Sequence, residues 1–437
     1  MNKLYIQNTV LDISRLSVFA AVREAPLLSS FKKLLLLCVK YATAPSFETG
    51  IPLVEAWADF SAALAGEDGG NLSFAEAVYR LAREDENAWT LFCERGGFDG
   101  PSREESAVFL FAKADLEALE RTANFDFSVF ESLPDAEGGG GAVLRIKAEA
   151  SFLKSLRAEK ISFAQGPLAR DLSENGAGLL RRYAFFFWED GRLAAAKNPD
   201  AVNFSDLFGY EDQRLTVAEN TRRFLKGEGA NNLLLYGDRG AGKSASVKAV
   251  CNEYAHCGLR LLQVRKHNFK NMGAIIEALG ARGLKFILFI DDISFEDEKD
   301  DSFNMLKSLL EGGAASMPGN VLVYATSNRR HFVKENQSSR PSGMDDVRAF
   351  DTMQEQLSLA DRFGVTVIFT SPSQDEYLEI ACRIAAKRGV LDMSNKEAVA
   401  DFRANALKWE RWFNGRSPRT ACQYVEWAAC KKGFPWD

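Results

Sequence analysis

Histidine is nearly missing from this chain: three residues, His256, His267 and His331, stand among 437. None lies in a run of Cys, Asp or Glu with metal-ligand spacing, which sets aside imidazole-bound metal chemistry. The seven cysteines (Cys38, Cys93, Cys251, Cys257, Cys382, Cys422, Cys430) are scattered, odd in number and without a CxxC pair. They suggest neither a disulfide framework nor a zinc site, and a reducing cytoplasm fits them. No apolar run approaches the roughly 18 residues of a membrane span. The strongest near the start, Leu34-Leu35-Leu36-Leu37-Cys38-Val39, is flanked by lysines. Met1 to Asn8 lack the charged-then-apolar layout of an export signal, so a soluble cytoplasmic protein with no membrane partner is expected. An excess of positive charge is lacking as well. A net charge of -6 and a pI near 5.5 argue against a chain whose main business is coating nucleic acid, while leaving room for a local basic face.

What the chain does have is bulk: 46% hydrophobic residues over 437 positions suffice for two or three domains of about 100–200 residues each. Residues 1–136 read as a mainly helical domain, with amphipathic stretches at Ser14 to Tyr41, Asn71 to Cys93 and Ser102 to Thr122. The glycine run Gly138 to Gly141 opens a connecting element, residues 137–199, holding a helix near Ala142 to Ala158. It also holds a hairpin in which Tyr183 to Trp188 turns at Glu189-Asp190-Gly191 and returns through Arg192 to Ala194. From residue 200 short apolar runs alternate with helical segments, which signals an α/β fold with a mostly parallel sheet over residues 200–372. The strands expected are Asn232 to Tyr236, Leu259 to Val264, Phe286 to Asp291, Val321 to Thr326 and Val365 to Thr370. Three helices, around Gln374 to Arg388, Asn395 to Ala406 and Pro418 to Ala429, form a small α-helical lid over residues 373–437.

The run Gly237-Asp238-Arg239-Gly240-Ala241-Gly242-Lys243-Ser244 fits G-x-x-x-x-G-K-[ST] between a strand and the helix that opens at Ala245. Such a run is a nucleoside triphosphate cradle. Its glycines let consecutive backbone N–H groups turn toward phosphate at a helix N-terminus, where the helix dipole also favours negative charge. Lys243 would reach the β/γ-phosphates and Ser244 would hold Mg²⁺. A glycine-rich turn opening a helix is the bland alternative, and the strand before and helix after weigh against it.

Further on, Phe286 to Ile290 leads into Asp291-Asp292, an apolar strand ending in two carboxylates. Beside the cradle, Asp291 is the candidate Mg²⁺ ligand and Asp292 the candidate base that orients or deprotonates the attacking water. The next strand ends Tyr324-Ala325-Thr326-Ser327-Asn328, placing an amide where open α/β sheets bind ligands. Asn328 is a candidate for the γ-phosphate or the water, or else a turn cap.

These motifs in this order, with Leu359-Ala360-Asp361-Arg362-Phe363-Gly364 and Gly415-Arg416-Ser417-Pro418-Arg419-Thr420 after them, resemble the AAA+ ATPases, most closely the branch of replication initiators and helicase loaders. More narrowly they resemble an uncharacterised bacterial family of single-module AAA+ proteins, through Gly209 to Gln213, Tyr236 to Gly240 and Ala325 to His331. The resemblance covers about Phe204 to Phe434. It implies ATP and Mg²⁺ as ligands, Asn328 as first sensor, and Arg362 as an arginine finger reaching the ATP of a neighbouring subunit. It also implies Arg419 as second sensor with Arg416 as its rival, and Gly209 and Tyr210 at the adenine pocket. The chain departs from the commonest AAA+ pattern in ending its strand Asp-Asp rather than Asp-Glu. Asp292 is one methylene shorter, and Glu296 is the alternative water-positioning residue.

An arginine finger acting in trans implies a homo-oligomer, a ring or filament. Two readings of purpose follow: an ATPase that remodels or loads a macromolecular partner docked on the N-terminal domain, or a slow nucleotide-gated assembly switch such as a DNA-associated loader. A small-molecule phosphotransferase fits less well, because it leaves Asn328, Arg362 and Arg419 unexplained together. Two basic clusters, Arg265-Lys266-His267 with Lys270 and Arg329-Arg330-His331 with Lys334, keep a nucleic acid partner open, with solvated loops or the subunit interface as the plainer reading.

Overall fold

The computed structural model describes residues 2–96, 107–135, 140–156, 160–293, 310, 317–328, 362–413 and 415–430. Glu296, Asp361 and the cluster from Arg329 to Lys334 named above lie outside them. The chain divides into two compact units, Met1–Arg182 and Tyr183–Asp437.

The first unit is helical. Its elements are α1 (Lys3–Ser14), α2 (Ala20–Glu24), α3 (Pro26–Thr43), α4 (Phe47–Gly66), α5 (Phe74–Glu84), α6 (Ala88–Glu94), α7 (Ala107–Ala123), α8 (Gly140–Ser155), α9 (Gln165–Asn175) and α10 (Leu179–Arg182). Local chemistry sets the breaks between them. Pro26 opens α3 in its first turn, where its missing N–H costs nothing. Reciprocal capping boxes, Ser46 with Thr49 and Ser73 with Glu76, start α4 and α5. The turn before α2 is held by the buried carboxylate of Asp115, which accepts the N–H groups of Ser17, Val18 and Phe19 at 2.8, 2.7 and 3.1 Å. Six phenylalanines, Phe31, Phe60, Phe74, Phe125, Phe127 and Phe130, cluster at the centre in edge-to-face and tilted ring contacts. Residues 140–182, assigned from sequence to the connecting element, form α8 to α10 here, and their Ile146, Phe163, Leu168 and Leu172 are part of this same core.

The second unit opens with β1 (Phe185–Glu189) and β2 (Arg192–Ala195), then α11 (Glu211–Leu225), β3 (Leu233–Gly237), α12 (Lys243–Tyr254), β4 (Leu259–Gln263), α13 (Met272–Gly280), β5 (Lys285–Ile293), β6 (Val321–Asn328) and β7 (Val365–Phe369). The lid helices follow: α14 (Gln374–Lys387), α15 (Lys396–Trp412) and α16 (Pro418–Ala429). The seven strands form one sheet in the order β2-β1-β4-β5-β6-β3-β7, parallel except for the β1–β2 hairpin. The hairpin expected near residue 190 is present, and β1 pairs in parallel with β4, Phe186 opposite Leu262.

Alternation explains how the sheet is covered. Ile287 and Phe289 of β5 pack with Val217, Phe224, Val247 and Val250 of α11 and α12, while their alternates Phe286, Leu288 and Ile290 are equally buried on the other side. The lid has its own core of Tyr377, Ile380, Ile384, Phe402, Trp409 and Tyr424. Tyr377 and Tyr424 anchor it further by donating their hydroxyls to the carbonyls of Ala406 and Phe402.

One close approach fixes where the phosphate loop begins. Gly237 has φ 144, and a Cβ placed on it would lie 1.9 Å from the carbonyl oxygen of Phe369 on β7. Gly237→Ala is therefore expected to destabilise the fold by about 2–4 kcal/mol, because both the backbone conformation and the gap require glycine. Thermal unfolding of the variant checks this; an unchanged midpoint would mean that β3 and β7 do not meet so closely.

Candidate nucleotide site

Parallel pairing puts the carboxyl ends of β3, β5 and β6 side by side, and each delivers polar side chains to one place. From β3 the chain turns through Gly240 and Gly242, at φ 76 and 93, into α12. Those left-handed glycines let the loop wrap around the helix N-terminus, where free N–H groups gather. Within the loop, Arg239 is exposed, Ala241 is buried in the sheet core and Ala245 lies in the first turn of α12.

Lys243, 7% exposed, points back along the loop. Its ammonium donates to the carbonyls of Gly237 and Asp238 at 2.9 and 2.7 Å and to Oδ1 of Asn328 at 3.1 Å. Burial lowers its pKa from 10.5 to about 8, against the opposing pull of the carboxylates of Asp238, Asp292 and Asp291.

Ser244 donates its hydroxyl to Oδ1 of Asp291 at 2.6 Å. Thr326 donates to the same oxygen, also at 2.6 Å, and accepts the backbone N–H of Asp292 at 2.8 Å. The geometry behind this is a β-bulge: Ile290 pairs with Ala325 and Ile293 with Ser327, so Asp291 and Asp292 together face the single residue Thr326. Asp292 takes a left-handed backbone, φ 55, and its Oδ1 accepts the side-chain amide of Asn328. Asn328 thus joins Lys243 to Asp292 through the two ends of one amide. Sequence reasoning passed over Thr326, although a threonine two residues before Asn328 on a strand neighbouring Asp291 was the available signal.

The lid supplies a further side of the site. The N–H of Arg419, in the first turn of α16, donates to the carbonyl of Gly240 at 3.2 Å. Gly240 has no room for a side chain, since a Cβ there would lie 2.9 Å from the hydroxyl of Ser417. Arg416 instead pairs with Glu410 at 3.1 Å. Between α11 and α14 runs a cleft of about 360 Å³ lined by Gly209, Tyr210, Gln213, Thr370, Ile380 and Arg383. Gly209 and Tyr210 both have left-handed backbones, at φ 77 and 59, and a Cβ on Gly209 would lie 2.6 Å from Ile380. The Tyr210 hydroxyl donates to the carbonyl of Thr370 at 2.6 Å, and burial pushes its pKa up to about 12.

Arg362, like Arg416, does not join this group. It precedes β7 at the end of the sheet where Val365 pairs with Leu233, so the length of a strand separates it from Lys243.

Chemically, the site offers backbone donors and an ammonium for phosphate, and a hydroxyl and a carboxylate 2.6 Å apart for a hard cation. A second carboxylate lies beside them for water. Mg²⁺ characteristically keeps several waters and takes one or two protein oxygens together with substrate phosphate, so Ser244 and Asp291 fit it. Among the described residues no group of three His, Cys, Asp or Glu side chains could hold a metal by itself.

The phosphate-loop strand β3 lies between β6 and β7, and a helical lid follows β7, which is the parallel sheet and lid expected from the sequence. Comparison with solved structures finds the Thermotoga maritima RuvB Holliday junction branch migration motor at 15% identity and TM-score 0.30, covering 52% of this chain and 71% of that one. Two mutants of the same motor match at 15% and 13% identity, both with TM-score 0.29, over 52% and 51% of this chain and 71% of theirs. Likenesses of that size carry nothing about activity or assembly. No curated protein matches the chain. A family model does, over residues 181–432, which is more than half of the sequence and takes in the hairpin, the sheet and the lid. The chain therefore belongs to the family described as "Protein of unknown function (DUF815)".

Proposed function

We propose that the protein binds ATP with Mg²⁺ and hydrolyses it to ADP and phosphate between the subunits of an oligomer, coupling nucleotide state to the remodelling or loading of a macromolecular partner. The observation that carries this reading is the continuous hydrogen-bonded set Ser244, Asp291, Thr326, Asp292, Asn328 and Lys243 at the mouth of the phosphate loop. Lys243 holds the β/γ-phosphates, Ser244 and Asp291 hold the cation, which offsets charge on the phosphates, and Asn328 senses the γ-phosphate. Asp292 accepts a proton from, or orients, the attacking water. Arg419 approaches the phosphates from the lid, and Arg362 serves the neighbouring subunit's nucleotide. The cleft beside Gly209 and Tyr210 takes the adenine. The helical first unit is the platform for a protein partner.

The second reading, a slow assembly switch with little turnover, has a specific observation in its favour. Asp292 is held by the amide of Asn328 on a left-handed backbone, so its carboxylate is engaged before any water arrives. Hydrolysis per subunit, measured against protein concentration, separates the two: a rate that climbs with concentration supports the first, and tight ATP binding with negligible turnover at every concentration supports the second. Adding DNA or a protein fraction to the same assay reports the class of partner. In this assay Asp292→Asn is expected to lower kcat by about 10²-fold while leaving ATP affinity within a factor of about two. Wild-type turnover in that variant would take the base role away from Asp292.

A further inference from the structure

Asp238, the second residue of the phosphate loop, bonds to three different parts of the fold through its N–H, its carbonyl and one carboxylate oxygen. Its N–H donates to the carbonyl of Phe369 at the end of β7, at 2.9 Å. Its carbonyl accepts the ammonium of Lys243 at 2.7 Å. Its carboxylate oxygen Oδ2 accepts both the N–H and the hydroxyl of Ser371, at 2.7 and 2.9 Å. Ser371 sits in the short link between β7 and lid helix α14, and it is followed by Pro372, whose ring confines the preceding residue to extended backbone. Pinning Ser371 therefore sets the direction in which the chain enters α14, which begins immediately afterwards at its cap, Ser373. The far end of the lid meets the same loop, through the N–H of Arg419 on the carbonyl of Gly240. Two loop residues thus hold the two ends of the lid's base.

We propose that Asp238 is a positioning residue that ties the lid hinge to the phosphate loop through Ser371, so that the nucleotide's hold on Lys243 sets the angle of α14. This rests on the reading of the loop as an ATP cradle. A triphosphate competes for the ammonium that Asp238 now shares, and loosening that bond frees one of the residue's three attachments. The remaining two carry the change to Phe369 and Ser371, and from Ser371 into the lid that bears Arg419. Asparagine can replace the carboxylate in part, because one amide oxygen can accept both Ser371 donors. Alanine cannot.

The test uses the full-length protein with ATP and Mg²⁺, as wild type, Asp238→Ala, Asp238→Asn, Ser371→Ala and the double variant Asp238→Ala/Ser371→Ala. Nucleotide affinity, kcat and hydrogen exchange over residues 374–387 are measured for each. Wild type is expected to gain protection in that helix on binding ATP. Asp238→Ala is expected to bind ATP within about threefold of wild type, to lose that protection, and to lose about tenfold in kcat. Asp238→Asn recovers most of the loss, Ser371→Ala falls between because its N–H remains, and the double variant is no worse than Asp238→Ala. The proposal is overturned by wild-type exchange and kcat in Asp238→Ala, by additive losses in the double variant, or by an asparagine variant no better than alanine. Should wild type itself fail to bind ATP, the cradle reading falls with it, and that arm reports the fact before any variant is compared.

Discussion

Lys243→Ala should lower kcat/KM for ATP by about 10³-fold or more, the largest effect expected of any single change in this protein. The ammonium is buried and already directed by three acceptors, the carbonyls of Gly237 and Asp238 and the amide oxygen of Asn328, so phosphate meets a donor whose position is fixed beforehand. The same burial gives the effect a pH signature. In the proposed role Lys243 meets phosphate as a cation, and its pKa is lowered from 10.5 to about 8. ATP affinity should hold below that value and decline as pH rises through it, with proton uptake on binding. Stability runs the other way. The unfolded chain keeps this proton up to 10.5 while the unliganded fold releases it near 8, so the group adds stability as pH climbs through that window. Equilibrium binding of ATP across this range, beside unliganded unfolding, tests both signs; affinity flat in pH would detach the lysine from the phosphate.

Arg362→Ala should cost about 10³-fold in kcat with ATP affinity nearly unchanged, since an arginine supplied by a neighbour stabilises charge that develops only in the transition state. Its place before β7, at the opposite end of the sheet from Lys243, prevents it from serving its own subunit's phosphates without a large rearrangement. An equimolar mixture of variant and wild type makes the test sharp. If the arginine works across subunits, mixed oligomers depart from the average of the two rates. A mixture that gives the simple mean, or a variant as active as wild type, would exclude it.

Much of the sheet was legible because its strands are apolar on both faces and short. The expected Val365 to Thr370 became Val365–Phe369, and Phe286 to Asp291 was recognised but continues through the bulge to Ile293. The phosphate loop was legible because its chemistry is contiguous. What escaped notice depends on residues far apart in sequence. The hairpin at Phe185 could be seen as a hairpin, yet nothing local shows that β1 pairs with β4, whose residues follow after the phosphate loop. Thr326 is an ordinary strand threonine until the bulge brings Asp291 and Asp292 against it. In the helical unit, α4 lies outside the amphipathic stretches named from sequence, although Ser46 and Thr49 form its capping box and the helix takes in Pro52.

The left-handed backbone of Asp292 bears on the departure from Asp-Glu. Here the strand carries one extra residue at the acid pair, and the second acid sits on that irregular stretch of main chain. Aspartate tolerates that backbone conformation better than glutamate does, which makes the shorter acid and the bulge a matched pair. The acid also has few poses of its own, with one side-chain torsion to point it and a second to spin the carboxylate. Its carboxylate is held by the side-chain amide of Asn328 and its backbone N–H by the hydroxyl of Thr326, so main chain and side chain of the acid are tied to the same neighbouring strand.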